Sequence, residues 1–137
     1  MNEKPLILIA EDDFEDRFIM IETFSELGHA DAVHIVEDGI AILQYLYEKG
    51  ADKIALIILD LNMPKLNGTE VLRKLQSDKR YAHISVVIFS TSINQIEMKT
   101  CMELGAKEYV TKPAKYAEYM ATCHKFYEIA KDSAGKK

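Results

Sequence analysis

Ile54-Ala55-Leu56-Ile57-Ile58-Leu59-Asp60-Leu61-Asn62-Met63-Pro64 runs six apolar residues without a break into an acid. Six residues is strand length, and the lack of alternation predicts a strand covered on both faces. The pattern recurs on either side. Leu6 to Ala10 is an apolar run that leads into Glu11-Asp12-Asp13, and Ala32 to Val36 reads as a second strand. Ile84 to Phe89 precedes Ser90-Thr91-Ser92, and the short Glu108-Tyr109-Val110-Thr111 precedes Lys112-Pro113. Between these runs lie amphipathic stretches of helical length. Phe14 to Leu27 stops at Gly28. Asp38-Gly39 opens a helix with Ile42, Leu43 and Leu46 on one face, ended by Gly50. Asn67-Gly68 opens one with Val71, Leu72 and Leu75, and Asn94 caps one carrying Ile96, Cys101 and Leu104 that stops at Gly105. The last runs from about Ala114 to Ala130, with Tyr116, Tyr119, Met120, Cys123, Phe126 and Tyr127 on its apolar stripe; a polar tail, 131–137, follows. Strict alternation of five strands and five helices predicts an α/β fold, a doubly wound parallel sheet with helices on both faces.

Composition narrows the function classes. The chain has 137 residues, 48% hydrophobic and 28% charged, the balance of one ordinary globular domain spanning 1–137 with its core at about 5–130. With 22 acids against 17 bases its net charge is −5, which argues against a nucleic-acid coat. No apolar run approaches the roughly 20 residues of a membrane span. Met1-Asn2-Glu3-Lys4-Pro5 lacks the features of a secretion signal, so a cytoplasmic protein is expected. Cys101 and Cys123 form no disulfide framework or metal knuckle and read as buried thiols in a reducing compartment. His29, His34, His83 and His124 are scattered away from the strand ends and read as structural or surface residues.

Right-handed crossovers put the carboxyl ends of parallel strands on one edge, where ligand chemistry sits in open α/β sheets. The residues that follow the strands there are Glu11, Asp12 and Asp13, then Asp60 to Pro64, Ser90 to Ser92 and Lys112-Pro113, so that three acids, a hydroxyl and a lysine are expected to converge. Packed carboxylates repel each other, and a divalent cation removes that conflict. Oxygen ligands suit Mg²⁺, and a lysine with a hydroxyl suits a phosphoryl group. One carboxylate nucleophile beside Mg²⁺ points to an aspartyl-phosphate. Asp13, one residue past the pair, reads as a helix cap.

Taken together, these segments resemble the response-regulator receiver domain, the CheY-like family of two-component signalling, over residues 5 to about 130. Leu8-Ile9-Ala10-Glu11-Asp12-Asp13 is similar to its acid-pair motif, and Leu59 to Pro64 with Asn67-Gly68 to its phosphoacceptor loop. Phe89-Ser90-Thr91, Gly105 to Tyr109 and Lys112-Pro113 resemble its remaining motifs. The resemblance implies a flavodoxin-like strand order 2-1-3-4-5. It implies Asp60 as phosphoacceptor, and Mg²⁺ held by Glu11, Asp12, Asp60 and the backbone carbonyl of Asn62. Glu11 stands where the family more often has Asp, so its longer arm reaches the metal directly or through water. Lys112 and the hydroxyl of Ser90, or of Thr91 if the alignment slips by one, would contact the phosphoryl group. Ser90 and Tyr109 would form the switch, Ser92 would tune phosphate lifetime, and the Lys112-Pro113 bond would be cis.

The partners so implied are a sensor histidine kinase or histidine phosphotransfer protein, a downstream protein target and a second copy of the chain, without nucleic acid or membrane. Output through the face of helix four, strand five and helix five is expected, with no DNA-binding domain attached. Small stand-alone regulators, including ones paired with bacterial phytochromes, are similar in the Leu59 to Lys65 and Ser90 to Ser92 segments. Three other readings fit less well. A haloacid-dehalogenase-like phosphatase would place an acid where Asn62 stands. A flavin or nucleotide carrier would follow its first strand with a glycine- or hydroxyl-rich loop. A degenerate receiver, acting as a phosphorylation-independent binding module, would lack part of the set that is present here.

Overall fold

A computed structural model describes residues 6–134. The strands are β1 (Ile7–Ala10), β2 (Val33–Val36), β3 (Leu56–Leu59), β4 (Ser85–Ser90) and β5 (Glu108–Thr111). The helices are α1 (Phe14–Glu26), α2 (Gly39–Lys49), α3 (Gly68–Gln76), α4 (Gln95–Glu103) and α5 (Tyr116–Ala134). All strand pairs are parallel, in the order β2-β1-β3-β4-β5. This is the doubly wound, flavodoxin-like sheet with helices on both faces.

Pleating sorts neighbouring residues of each strand into two apolar layers. Leu8, Ala10, Ile57, Leu59, Val86 and Ile88 pack under α2, α3 and α4 with Ile42, Leu46, Val71, Leu72, Leu75 and Cys101. Ile7, Ile9, Leu56, Ile58, Val87 and Phe89 pack under α1 and α5 with Met20, Phe24, Tyr119, Cys123, Phe126 and Ala130. Each residue of β3 is therefore buried, which is why its sequence shows no alternation.

Several boundaries differ from the sequence reading. Ile54 and Ala55 are buried but precede β3, because the chain turns at Ala51 to Ile54 before it enters the sheet. A single 3-10 turn, Ala30–Ala32, takes the start of the second predicted strand. β4 extends to Ser90, whose partner in β5 is Thr111. α5 continues through most of the predicted polar tail, because Ala130 and Ala134 extend its apolar stripe from Cys123 and Phe126. The rest of that tail, 135–137, and the N-terminal 1–5 lie outside the described residues.

Ile96 and Tyr116, expected on apolar stripes, are 78% and 50% exposed. Both lie in the first turn of their helices, ahead of the residues those helices bury, Cys101 in α4 and Tyr119, Cys123, Phe126 and Ala130 in α5. The described histidines lie outside the polar edge: His29 stacks on Tyr127 and His34 on Tyr45, while His83 and His124 are exposed.

Candidate functional site

The register aligns Ala10 of β1 with Leu59 of β3, so the next residues, Glu11 and Asp60, emerge side by side. Both are fixed by backbone bonds that continue the ladder: the Glu11 amide donates to the Val36 carbonyl and the Asp60 amide to the Ala10 carbonyl. Glu11 is 1% and Asp60 6% exposed, while Asp12, which shares their cluster, is exposed. One carboxylate oxygen from each of Glu11, Asp12 and Asp60 lies within 4.8 Å of the others.

Lys112 enters from the end of β5, where its amide donates to the Ser90 carbonyl. Its Nζ reaches Glu11 Oε1 at 2.7 Å, Asp16 Oδ2 at 2.7 Å and Asp60 Oδ2 at 2.9 Å. The Lys112-Pro113 bond is trans, correcting the expected cis form. Trans is the more stable isomer even before proline, and the lysine reaches the acids without the other.

Burial, with the neighbouring Asp60 carboxyl next in weight, pushes Glu11 up to about 8, against the pull of Lys112. Burial alone would lower the Lys112 pKa, but hydrogen bonds to Asp16, Glu11 and Asp60 outweigh it and hold the ammonium charged.

Two residues that sequence reasoning missed shape this pocket. Asp16 sits three positions after the α1 cap, Asp13, whose carboxylate accepts from the Glu15 and Asp16 amides. The acids of a helix's first turn project toward its N-terminal end, and that spacing was the available signal. Arg17 Nη1 donates to the carbonyls of Glu11 and Asp12 at 3.0 and 2.9 Å, bracing the acid loop.

The loop after β3 is held from both ends. The Asn62 amide donates to Asp60 Oδ1 at 3.1 Å, while the Asn62 side chain is exposed. Asn67 caps α3 in a reciprocal box with Glu70. Gly68 is a spatial requirement: a Cβ there would lie well inside 3.0 Å of the Asp60 carbonyl. Gly68→Ala is therefore expected to shift the Asp60 loop and to cost about 2 kcal/mol of stability, as overpacking does. Thermal melts of the two proteins check this.

On the other side of Asp60, Ser90 is fully buried and its Oγ accepts from the Ser92 amide at 3.1 Å. Thr91 is exposed. The Tyr109 hydroxyl donates to the Ser92 carbonyl at 2.8 Å, and Ser92 Oγ donates to Glu97 at 2.6 Å. The structure thus brings Glu11, Asp12, Asp60 and Lys112 into one cluster, and ties Ser90 and Tyr109 to each other through Ser92. The donor set is all oxygen and the acids outnumber the lysine, so the pocket fits a hard divalent cation.

Five parallel strands in this order, with an acidic pocket and a lysine at their carboxyl ends, define a CheY-type signalling domain. The chain belongs to the response regulator receiver domain family, whose model matches residues 7–124. It is 30% identical over 107 residues to the chemotaxis protein CheY1 of Helicobacter pylori, covering 78% of this chain and 84% of that one. The crystal structure of the phosphorylated cyanobacterial phytochrome response regulator RcpA superposes with a TM-score of 0.82 at 31% identity, covering 93% of this chain and 94% of that one. The Mn²⁺-bound form of response regulator Rcp1 gives a TM-score of 0.74 at 28% identity, covering 87% of this chain and 88% of that one. Receiver domains are signalling modules of two-component systems that interact with histidine kinases and downstream targets, and bind a divalent metal at their acidic cluster. No described helix is long and apolar enough to cross a membrane.

Proposed function

We propose that this chain is a single receiver domain that accepts a phosphoryl group on Asp60 from a phosphohistidine donor, a sensor histidine kinase or a histidine phosphotransfer protein, in the cytoplasm. The observation that carries this reading is the pairing of Lys112 Nζ with both Asp60 and Glu11, at 2.9 and 2.7 Å. Mg²⁺, held by Glu11, Asp12, Asp60 and the Asn62 carbonyl, would neutralise the carboxylates and the incoming phosphoryl oxygens. An Asp60 oxygen attacks phosphorus in line, the P–N bond to the donor imidazole breaks, and the imidazole leaves with that electron pair. Lys112 donates to a phosphoryl oxygen. The product carries about two negative charges on its phosphoryl oxygens, in place of the single charge of the Asp60 carboxylate.

Ser90 then turns its hydroxyl toward a phosphoryl oxygen. That weakens its hold on the Ser92 amide, and Tyr109, bonded to the Ser92 carbonyl, follows. The consequence is a population shift in the face formed by α4, β5 and α5, read by a downstream protein or by a second copy of the chain. Water later cleaves the acyl phosphate and resets the switch, with the exposed Asn62 side chain and Ser92 setting the rate. The chain is a phosphoacceptor rather than a metabolic enzyme. The likeness to a phytochrome response regulator supports a phytochrome-type kinase as donor.

Incubation with acetyl phosphate and Mg²⁺, read by intact mass, tests the reading. A single gain of about 80 Da, mapped by peptide sequencing to Asp60, is expected. No gain, together with no binding of beryllofluoride in the presence of Mg²⁺, would leave a phosphorylation-independent binding module.

A further inference from the structure

The Lys112 ammonium has three N–H donors and three carboxylate acceptors within 2.9 Å. A phosphoryl oxygen can therefore gain this lysine only by displacing one of them. Asp60 loses its charge when it is acylated, and Glu11 belongs to the metal-fitting cluster and has a second attraction there. Asp16 differs from both. It lies outside that cluster, projects from α1 rather than from a strand end, and remains an anion with Lys112 as its ion-pair partner.

We propose that Asp16 is a positioning residue that competes with the phosphoryl group for Lys112 and so sets how tightly the phosphorylated state is held. The inference rests on the receiver reading above and concerns the same pocket. In the resting protein Asp16 draws the ammonium toward α1. In the phosphorylated protein the lysine is divided between the Asp16 carboxylate and a phosphoryl oxygen, which weakens both contacts. On α5, the buried Tyr119 hydroxyl has no hydrogen-bond partner among the described residues. Burial and the charge of Asp16 both raise the pKa of that hydroxyl.

The test is beryllofluoride titration in saturating Mg²⁺, followed by amide NMR shifts, on wild type, Asp16→Asn, Asp16→Glu and Glu15→Gln. Asn keeps the shape and an acceptor oxygen but removes the charge. Asp16→Asn is expected to bind the phosphoryl mimic roughly 5-fold more tightly, the equivalent of one competing hydrogen bond. Asp16→Glu should return to the wild-type value. Glu15→Gln removes an equal charge from the neighbouring exposed position, with no contact to Lys112, and should stay within about 2-fold of wild type.

Unchanged or weaker binding by Asp16→Asn overturns the proposal. So does an equal gain in Glu15→Gln, which would reduce Asp16 to a contributor to the general field. If Asp16→Asn unfolds, Asp16→Ala is titrated under the same criteria, and Asp16→Glu carries the converse test because its restored charge must keep wild-type affinity. Failure of the wild type itself to bind beryllofluoride would instead overturn the receiver reading, a separate result.

Discussion

Asp60→Asn is expected to take up no phosphoryl group from acetyl phosphate and, in metal-free buffer, to melt a few degrees above wild type. The substitution is nearly isosteric. The Asn oxygen can still accept from the Asn62 amide, as the Asp60 carboxylate does. Lys112 keeps its contacts to Glu11 and Asp16 at 2.7 Å. What disappears is one charge from a pocket in which Glu11, Asp12, Asp16 and Asp60 face a single lysine. Relief of that repulsion is worth about 1 kcal/mol, or ~3 °C for a chain of this size.

Metal-free stability should also become less sensitive to pH. Glu11 is raised from 4.5 to about 8 in the folded protein, partly by Asp60. Between those values the folded state binds more protons than the unfolded chain, so wild-type stability falls as pH rises through that window. The fall should be shallower in Asp60→Asn, and added Mn²⁺ should stabilise the variant less, because one oxygen ligand has lost its charge. Intact mass and melting curves between pH 5 and pH 8 (roughly the relevant window) check all of this. An adduct on the variant would move the acceptor elsewhere, and a lower melting temperature would mean that the Asp60–Lys112 pair is net stabilising.

Lys112→Ala is expected to act in the opposite sense on stability. It removes the cation that the buried Glu11 and Asp60 share and leaves their carboxylates to repel each other or take up protons. Breaking a buried ion pair from one side costs about 3 kcal/mol, so the metal-free variant should melt ~10 °C lower. Divalent cations should reverse most of that loss. They no longer compete with an ammonium for the same oxygens, and Mn²⁺ affinity should rise by roughly an order of magnitude. Phosphoryl uptake should nevertheless drop at least ~10-fold, because the cationic donor to the phosphoryl oxygens is lost. Calorimetric Mn²⁺ titration and melts with and without metal provide the readings. Wild-type stability together with unchanged metal affinity would rule out the shared-cation account.

The parts of the fold legible in the sequence were those written as uninterrupted apolar runs. Leu56 to Leu59 is buried on both faces, so burial leaves its mark on every residue. The convergence of Glu11, Asp12, Asp60 and Lys112 then follows from parallel pairing, because the polar residues lie immediately after those runs, whereas the strand order came from the resemblance to the receiver family. Less legible were contacts whose partners are fixed by orientation. Asp16 and Arg17 look like ordinary charges on a helix, and their reach into the pocket depends on how α1 sits over β1. Ile96 and Tyr116 fit the period of their helices, but periodicity does not say which turns of a helix are covered. The end of α5 was hidden for a related reason: Asp132 and Ser133 are polar, while the alanines on the buried side carry the helix through them.

The ion pairs of Lys112 span 96 residues of chain to Asp16 and 52 to Asp60. No short fragment contains the pocket, and the loop-closure entropy of those contacts is recovered only when the last strand docks. A chain emerging from the ribosome carries Glu11 for most of its synthesis, and Asp60 for 52 residues of it, before their counter-charge exists. The charged pocket therefore serves as a marker of completed folding: phosphoryl acceptance by Asp60, wherever it is measured, counts only those molecules in which β5 has already joined the sheet.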